Sequence, residues 1–188
     1  MQTLMCGILI LGFVSTTFCL NSNTETKIKC FNVMDYGAHA DGKTDDSNSL
    51  VFQSCNGLTV KSLSMSNSPE AHIAVNGCDG ALFSHININS PPKSPNTDGF
   101  DIANSKNIVI QDSTLATGDD CIAINGGSSF INATRLLCKG GHGISIGSLG
   151  RNKSYETVEE GGSGYARKIT FEDIMLQDVQ NSIIIDQY

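Results

Sequence analysis

Three short polar clusters contain the residues best suited to acid–base chemistry in this sequence. The clusters are Asn96-Thr97-Asp98-Gly99, Gly118-Asp119-Asp120 and Gly140-Gly141-His142-Gly143. The interval from Asp98 to Asp120 equals the interval from Asp120 to His142, and Asp119 stands one position before Asp120. A constant spacing of this kind would stack three carboxyl groups and one imidazole on adjacent turns of a repeating fold, about 5 Å apart.

Stacked carboxyl groups suit the hydrolysis of a glycosidic bond. Crowded carboxylates repel one another, so at least one of them should hold its proton near neutral pH. A protonated acid can donate to the leaving oxygen while its ionised neighbours activate a water molecule. A single aspartate beside a glycine is more often a turn residue, and that is the expectation for the other aspartates of this type: Asp41, Asp45, Asp46, Asp79 and Asp112. Turn formation does not require four acid–base groups in register, so the stacked set indicates a site.

Two interleaved types of segment repeat from residue 56 onward, and both alternate apolar with polar or small residues. The first type begins at Asn56, Asp79, Lys106 and Arg167; the second covers residues 71–75, 99–102, 121–124, 143–146 and 182–185. Alternation with period two predicts strands with one buried face. The three clusters stand beside strands of the second type, so we expect them on one side of the molecule.

The spacing between repeats predicts the fold. Ile102, Ile124 and Ile146 are evenly spaced, and the interval from Leu58 to Ala81 is only one position longer. A regular period of roughly 22 residues indicates coils of a solenoid whose strands pair in parallel over a continuous aliphatic column. Leucine-rich repeats have a similar period, but their consensus is missing here. Pairs such as Asn76-Gly77 and Asn125-Gly126 could instead mark hairpins of a β-sandwich. Hairpins do not predict a constant spacing of this kind, so the repeat favours an all-β, right-handed parallel β-helix.

Composition agrees with this fold and limits the partners. Charged residues make up only 16% of the 188 residues, Gly occurs 19 times and Trp is absent. Such a composition disfavours long helices and suits short strands joined by tight turns. The net charge of −7 argues against nucleic acid, whose phosphates require a basic surface. It does not exclude a polyanionic sugar held by a few local cations.

The N-terminal segment predicts export. The run at residues 4–20 is mostly apolar and is followed by the polar stretch that starts at Asn21. We predict a cleaved signal peptide at residues 1–20 and one partial catalytic domain at residues 21–188, although no Lys or Arg precedes the run. An uncleaved anchor or a buried strand are the alternatives. After cleavage five cysteines remain, an odd number, and disulfides are expected in an exported chain: Cys30, Cys55, Cys78, Cys121 and Cys138.

The sequence blocks around the polar clusters resemble those of plant polygalacturonases, glycoside hydrolases that cut the α-1,4-linked galacturonate backbone of pectin with inversion. The resemblance is carried by residues 94–101 (SPNTDGFD), 117–124 (TGDDCIAI) and 141–150 (GHGISIGSLG), and by the opening residues 31–38 (FNVMDYGA). It implies that Asp119 is the general acid and that Asp98 and Asp120 hold and deprotonate the water. It further implies that His142 tunes the acid, that Asn96 and Gly143 bind substrate, and that Cys121 and Cys138 form a disulfide.

The chain also departs from the family pattern. The family has an Arg-Ile-Lys motif after the Gly-His-Gly block, and here residues 155–166 occupy that place without it. Residues 44–52 join segments that the family separates by a helical cap and several coils. The chain stops at Tyr188, near the region of the family's active-site tyrosine. We therefore expect an incomplete β-helix, internally deleted and C-terminally truncated, with weakened binding of the substrate carboxylate.

The resemblance implies a secreted, monomeric cell-wall hydrolase that acts on pectin or polygalacturonate, without nucleic acid and without a membrane once the signal is removed. A non-catalytic pectin-binding or regulatory β-helix is the alternative. A pectate lyase would require calcium and an arginine base near the carboxylates, and no such arginine is evident. No cofactor is expected, because His142 lacks companions at metal-ligand spacing in the sequence.

Overall fold

The computed structural model describes residues 50–149 and 168–187, together with three short backbone strands nearer the N-terminus. In chain order the strands are β1 (Gly7–Leu9), β2 (Thr17–Leu20), β3 (Lys29–Asn32), β4 (Leu50–Gln53), β5 (Asn56–Lys61), β6 (Ser64–Ser66), β7 (Ile73–Asn76), β8 (Asp79–Ser84), β9 (Asn87–Asn89), β10 (Phe100–Ala103), β11 (Lys106–Ala116), β12 (Asp120–Ile124), β13 (Ser129–Lys139), β14 (Gly143–Leu149), β15 (Thr170–Gln177) and β16 (Ile183–Gln187). Among these described residues no helix is long and apolar enough to cross a membrane. Most of the predicted signal segment lies outside the described residues, and its cleavage stays a prediction.

The strands form two main parallel sheets, and each coil of the chain contributes to both. Sheet 1 has the order β4-β7-β10-β12-β14-β16, with β1 added antiparallel to β4. Sheet 2 has the order β5-β8-β11-β13-β15, and β6 and β9 extend it beside the later half of β11. Strands that neighbour each other in a sheet belong to successive coils. The prediction of an all-β parallel β-helix is therefore confirmed.

The strand register matches the spacing of the sequence repeats. Ile102 pairs with Ile124, and Ile124 pairs with Ile146. Leu58 pairs with Ala81. In two places the paired residues are further apart along the chain than the sequence repeat: Ile73 pairs with Phe100, and Ile144 pairs with Ile183. Across the longer intervals the core positions still pair, Ile102 with Val75 and Ile146 with Ile185.

The core is the column of inward-facing side chains between the two sheets. On β7 and β10 every second residue is buried, as the sequence alternation predicts. Phe52, Phe83 and Phe100 are fully buried and form one aromatic row, with ring centroids 5.6 Å and 5.2 Å apart in edge-to-face contacts. Isoleucines continue the column through the later coils. Burial of this continuous apolar column holds successive coils in place and so fixes the turns that carry the polar clusters.

One corner of the solenoid is turned by residues in the left-handed conformation. Gly57, Gly80 and Asn107 have φ values of 67°, 76° and 57° at equivalent places at the start of β5, β8 and β11. Glycine and asparagine tolerate this region well. On the next coil Phe130 occupies the same corner with φ 55°. Lys168 takes the same conformation before β15, with φ 54°. Strand β13 was not among the segments that the sequence repeat predicted.

Candidate active site

The three polar clusters lie at the starts of β10, β12 and β14, on adjacent coils of sheet 1, as predicted. A β-bulge adjusts their alignment: Asp120 pairs with Gly143, whereas Ile122 pairs with Ile144, so β12 has one additional residue at this point. The backbone N–H of His142 donates to the carbonyl oxygen of Asp119 at 3.1 Å. The bulge therefore places Asp119, rather than Asp120, directly beside His142.

Asp119 is held by two contacts from the neighbouring coils. Its Oδ1 lies 2.8 Å from Nδ1 of His142, and its Oδ2 accepts a hydrogen bond from the backbone N–H of Asn96 at 2.9 Å. Asn96 has φ 55°, a conformation that asparagine adopts more readily than most residues. The Asp119 and His142 side chains are 21% and 40% exposed, so a substrate can reach both.

Asp98 is the most strongly perturbed carboxyl group of the site. Its Oδ1 accepts a hydrogen bond from the backbone N–H of Asp120 at 3.2 Å. Burial, and then the negative charges of Asp119, Asp120 and Asp101, raise the pKa of Asp98 to about 7. Asp98 therefore keeps a proton at pH values where an exposed aspartate is ionised.

The pKa values of Asp120 and Asp101 are also raised, by less than that of Asp98. Burial is the main cause that raises the pKa of both groups, and the charge of Asp119 adds to it at Asp120. Opposing this, the hydroxyl of Ser145 donates to Oδ2 of Asp120, and Nδ2 of Asn125 donates to Oδ1 of Asp101. Both hydrogen bonds favour the ionised carboxylate. The pKa of all three carboxyl groups is therefore raised, most strongly at Asp98, and hydrogen bonds partly offset the effect of burial at Asp101 and Asp120.

An open cleft of about 450 Å³ lies beside this acidic cluster. Its lining consists of Glu70, Ala71, Asn96, Asp98, Asp101 and Asp119. No lysine or arginine is among these described lining residues. The cleft is therefore negatively charged on the side that the structure describes, and a bound uronate would meet four carboxyl groups there.

Sequence reasoning did not assign Glu70 and Asp101 to the site. Asp101 could have been found from strand alternation, since Phe100 and Ile102 point inward on β10 and Asp101 must face outward beside Asp98. Ser145 could have been found in the same way, because it lies on the outward column of Asp101 and Ala123. Glu70 gave no such signal, since it precedes β7 in an irregular connection.

Several glycines of the polar clusters are required by the close approach of neighbouring coils, and Gly141 and Gly143 are the tightest cases. A Cβ atom on Gly141 would lie 1.9 Å from the carbonyl oxygen of Asp119. A Cβ atom on Gly143, which has φ 94°, would lie 2.0 Å from the carbonyl oxygen of Asn181. Gly143 is buried, so the structure accounts for this glycine by packing. Its predicted substrate-binding role stays a prediction.

The site could also offer ligands to a cation. Ligand atoms of Asp119, Asp120 and His142 lie within 4.8 Å of one another. No cofactor was expected from the sequence, because His142 lacks companions at metal-ligand spacing along the chain. The coils bring both aspartates to the histidine, and the absence of a cofactor stays a prediction. Two carboxylates and an imidazole form a mixed donor set that divalent cations accept. Proximity of exposed acidic groups does not by itself indicate an ion, and the chemistry below uses none.

A disulfide joins the two main sheets immediately behind the site. Cys121 on β12 is bonded to Cys138 on β13, with 5.8 Å between their Cα atoms. Both cysteines are fully buried, and the bond is the one that the resemblance implied. Because Cys121 follows Asp120 directly, the bond anchors the turn that carries Asp119 and Asp120. The segment at residues 155–166 and Tyr188 lie outside the described residues.

Comparisons with known proteins point to one family. Residues 33–161 match the family described as "Glycosyl hydrolases family 28". The chain is 48% identical over 160 residues to a probable polygalacturonase of Arabidopsis thaliana, covering 74% of this chain and 35% of the relative. It is 39% identical over 160 residues to a polygalacturonase of Persea americana, with the same two coverages. This chain spans about a third of the length of these curated relatives.

A solved structure extends the comparison to the fold. The endo-xylogalacturonan hydrolase of Aspergillus tubingensis superposes with a TM-score of 0.66 at 27% sequence identity. The match covers 79% of this chain and 39% of that protein. The structural likeness therefore includes most of the coils described above.

Proposed function

The chain belongs to glycosyl hydrolase family 28, and from that premise we propose that it hydrolyses α-1,4-galacturonosyl linkages of pectin or polygalacturonate with inversion at the anomeric carbon. The observation that carries the proposal is the gathering of Asp98, Asp119, Asp120 and His142 beside one cleft from three coils. The polygalacturonases among its relatives support the choice of substrate class.

In the proposed reaction Asp119 is the general acid. It donates its proton to the glycosidic oxygen as the bond from that oxygen to the anomeric carbon breaks. A water held by Asp98 and Asp120 attacks the anomeric carbon from the opposite face and gives its proton to this pair. One water is consumed, one new reducing end forms, and the α-linkage yields a β-hemiacetal. Asp98 and Asp120 lie on adjacent coils and are linked through the Asp120 N–H, which suits a shared water site.

The position of the proton decides when this reaction can run. In the substrate-free site the raised pKa of Asp98, about 7, keeps the proton of the cluster on Asp98. Asp119 accepts a hydrogen bond from the backbone N–H of Asn96 and is in contact with the ring of His142. His142, 2.8 Å from Asp119, is placed to supply the acid proton through Nδ1. We therefore expect turnover to need a protonated His142–Asp119 pair together with an ionised water-binding carboxylate.

The remaining expectations accompany this function. We propose that the chain is exported through its N-terminal apolar segment, acts in the cell wall and works as a monomer on a polysaccharide. The apolar run at residues 4–20 and the buried disulfide between Cys121 and Cys138 favour an oxidising compartment.

The direct test is release of reducing ends from polygalacturonate by the full chain between about pH 4 and about pH 8, a range that spans the ordinary and the raised pKa of aspartate. Asp119→Asn is the inactive control, and circular dichroism establishes that both chains are folded. Proton NMR of the first product should show the β-anomer. Retention of the α-anomer, or equal activity in Asp119→Asn, would contradict the proposal.

A second candidate, a non-catalytic pectin-binding protein, is favoured by one observation. None of the described residues that line the cleft is a lysine or arginine. Without a cation on the substrate carboxylate, the sugar is held less accurately, and turnover depends on accurate positioning more strictly than binding does. Retention of the folded chain on immobilised polygalacturonate, with no new reducing ends, would support this candidate.

A further inference from the structure

His72 is a fully buried histidine that contacts the site from behind. It immediately precedes β7, and its exposed fraction is 0%. Its backbone N–H and its ring Nδ1 both lie 2.8 Å from a single acceptor, the backbone carbonyl oxygen of Asp98 on the next coil. On the other side of the ring, Nε2 lies 2.8 Å from Oγ of Ser90, which is 6% exposed. Every polar atom of this buried side chain therefore has a partner.

The chemistry of these partners assigns the tautomer. A backbone carbonyl oxygen can only accept, so Nδ1 of His72 carries the proton and donates it to Asp98. Nε2 is then the acceptor for the hydroxyl of Ser90. Burial lowers the pKa of His72, which favours this neutral ring. The carbonyl oxygen of Asp98 has two lone pairs, and His72 uses both of them.

Asp98 is consequently fixed at both ends. Two donors of His72 hold its backbone carbonyl, and the N–H of Asp120 holds its carboxyl oxygen Oδ1. Adjacent coils of a β-helix are ordinarily joined by backbone hydrogen bonds alone, here the one from the His72 N–H to the Asp98 carbonyl oxygen. The second donor comes from a buried ring that must be desolvated to reach this place. It is an additional constraint on Asp98, whose carboxyl group lies near those of Asp119, Asp120 and Asp101.

We propose that His72 is a positioning residue for Asp98, and that its ring, oriented by Ser90, keeps the Asp98 carboxyl group at the distance from Asp119 and Asp120 that the site requires. The inference rests on the proposed function only for its kinetic consequence. Its structural consequence concerns the substrate-free chain. Without the ring donor, the Asp98 peptide can shift, and its carboxyl group moves away from its neighbours and toward water.

Two substitutions at His72 distinguish a role of its hydrogen bond to Asp98 from a role of its side-chain volume. Asparagine carries an amide N–H near the place of Nδ1 and can still donate to the Asp98 carbonyl. Glutamine carries its amide N–H near the place of Nε2 and cannot make that bond in the same rotamer. His85→Asn is the matched control, because His85 is exposed at an outer corner and bonds Ser84 rather than the site.

The decisive measurement is a carbon-13 NMR titration of the Asp98 carboxyl group in the full chain without substrate. In His72→Gln the titration midpoint should fall toward about 3.9, the value of an exposed aspartate. In His72→Asn and His85→Asn it should stay near that of the unsubstituted chain. An unchanged midpoint in folded His72→Gln, or equal losses in the asparagine and glutamine variants, would overturn the proposal.

Turnover provides a second readout. His72→Gln should lower kcat about tenfold and change KM less than about twofold, since small displacements of a reacting group reduce the rate more than binding. If the unsubstituted chain does not release reducing ends, the proposed function fails, while the titration still decides the role of His72. If His72→Gln does not fold, Ser90→Ala takes its place, because it frees Nε2 and should shift the Asp98 midpoint in the same direction by less.

Discussion

Aspartates beside the two main sheets of this solenoid share a repeating backbone and differ in their neighbours. On sheet 2, Asp79 lies 3.4 Å from the ammonium group of Lys106, and Asp112 receives two hydrogen bonds from the guanidinium of Arg135 at 2.6 and 3.0 Å. The hydrogen bonds from Asn107 and Arg135 are the main causes that lower the pKa of Asp79 and Asp112, respectively. Beside sheet 1, burial raises the pKa of Asp98, Asp101 and Asp120.

The difference teaches that the partners of an aspartate, rather than its place in the repeat, separate a structural carboxylate from a reactive one. Asp79 and Asp112 are the turn or surface residues that the sequence analysis expected. Each is accessible to solvent beside a cation, so its ionised form is stable. In the cleft, carboxyl groups from adjacent coils face each other, and none of the described lining residues is a lysine or arginine, so burial and mutual repulsion favour a retained proton.

The largest contrast is expected in turnover. Asp119→Asn should lower kcat on polygalacturonate by about 10²- to 10⁴-fold, because the variant cannot donate a proton to the leaving oxygen. Asp112→Asn makes the same chemical change on sheet 2 and should leave kcat unaltered. Reducing-end assays on both variants check this, and similar losses in both would contradict the division between the sheets.

The bond that joins the two sheets should contribute strongly to stability. Its cysteines are 17 residues apart, and replacing both Cys121 and Cys138 by alanine should lower the free energy of unfolding by about 3 kcal/mol. Urea denaturation under non-reducing conditions measures the loss. An unaltered midpoint would show that the sheets hold the turn at Asp119 and Asp120 without the disulfide.

Removal of the ionisable group of Asp98 should stabilise the folded protein, and the gain should depend on pH. The folded-state pKa of Asp98, about 7, lies above the unfolded value, so the folded chain holds a proton that the unfolded chain releases. Stability of the unsubstituted chain should fall as pH rises from about 4 through 7. Asp98→Asn has no charge to bury and should raise Tm by about 2–4 °C at pH 8 and by less at pH 5. A stabilisation that is independent of pH would contradict this origin.

The smallest effect is expected at the rim of the cleft. Glu70→Gln removes one exposed negative charge and should lower KM for polygalacturonate about twofold, the size typical of a single exposed charge interaction. KM for fully methyl-esterified pectin should not change, because that polymer is uncharged. Glu172→Gln, on sheet 2, is the control. A lower KM in both variants would indicate a general effect of net charge rather than a local one.

Much of the fold could be predicted from the sequence, because apolar residues recur in it at a nearly constant spacing. The pairing of Ile102, Ile124 and Ile146 follows from their spacing alone. Strand β13 was not among the predicted segments, and its corner residue Phe130 takes the left-handed conformation that Gly57, Gly80 and Asn107 take on earlier coils. The longer intervals, from Ile73 to Phe100 and from Ile144 to Ile183, depart from the constant spacing, and the apolar pattern of the core did not predict them.

The members of the site were predictable, and their mutual contacts were not. Equal spacing places Asp98, Asp120 and His142 in one column, but the bulge on β12 moves Asp119 beside His142. A bulge depends on how one residue packs against the next coil, which the pattern of apolar residues does not record. For the same reason no pattern in the sequence indicated the buried contacts of His72 with Asp98 and Ser90.

The most direct test of the account is a comparison of two carboxyl titrations in one sample. Carbon-13 NMR of the folded, substrate-free chain should show Asp98 titrating near pH 7 and Asp112 below the usual range of an aspartate. That result would establish that burial and crowding beside sheet 1 create a proton-holding acid–base cluster. Two ordinary and equal midpoints would contradict it, because the carboxyl groups of the cleft would then be no different from those of the outer surface.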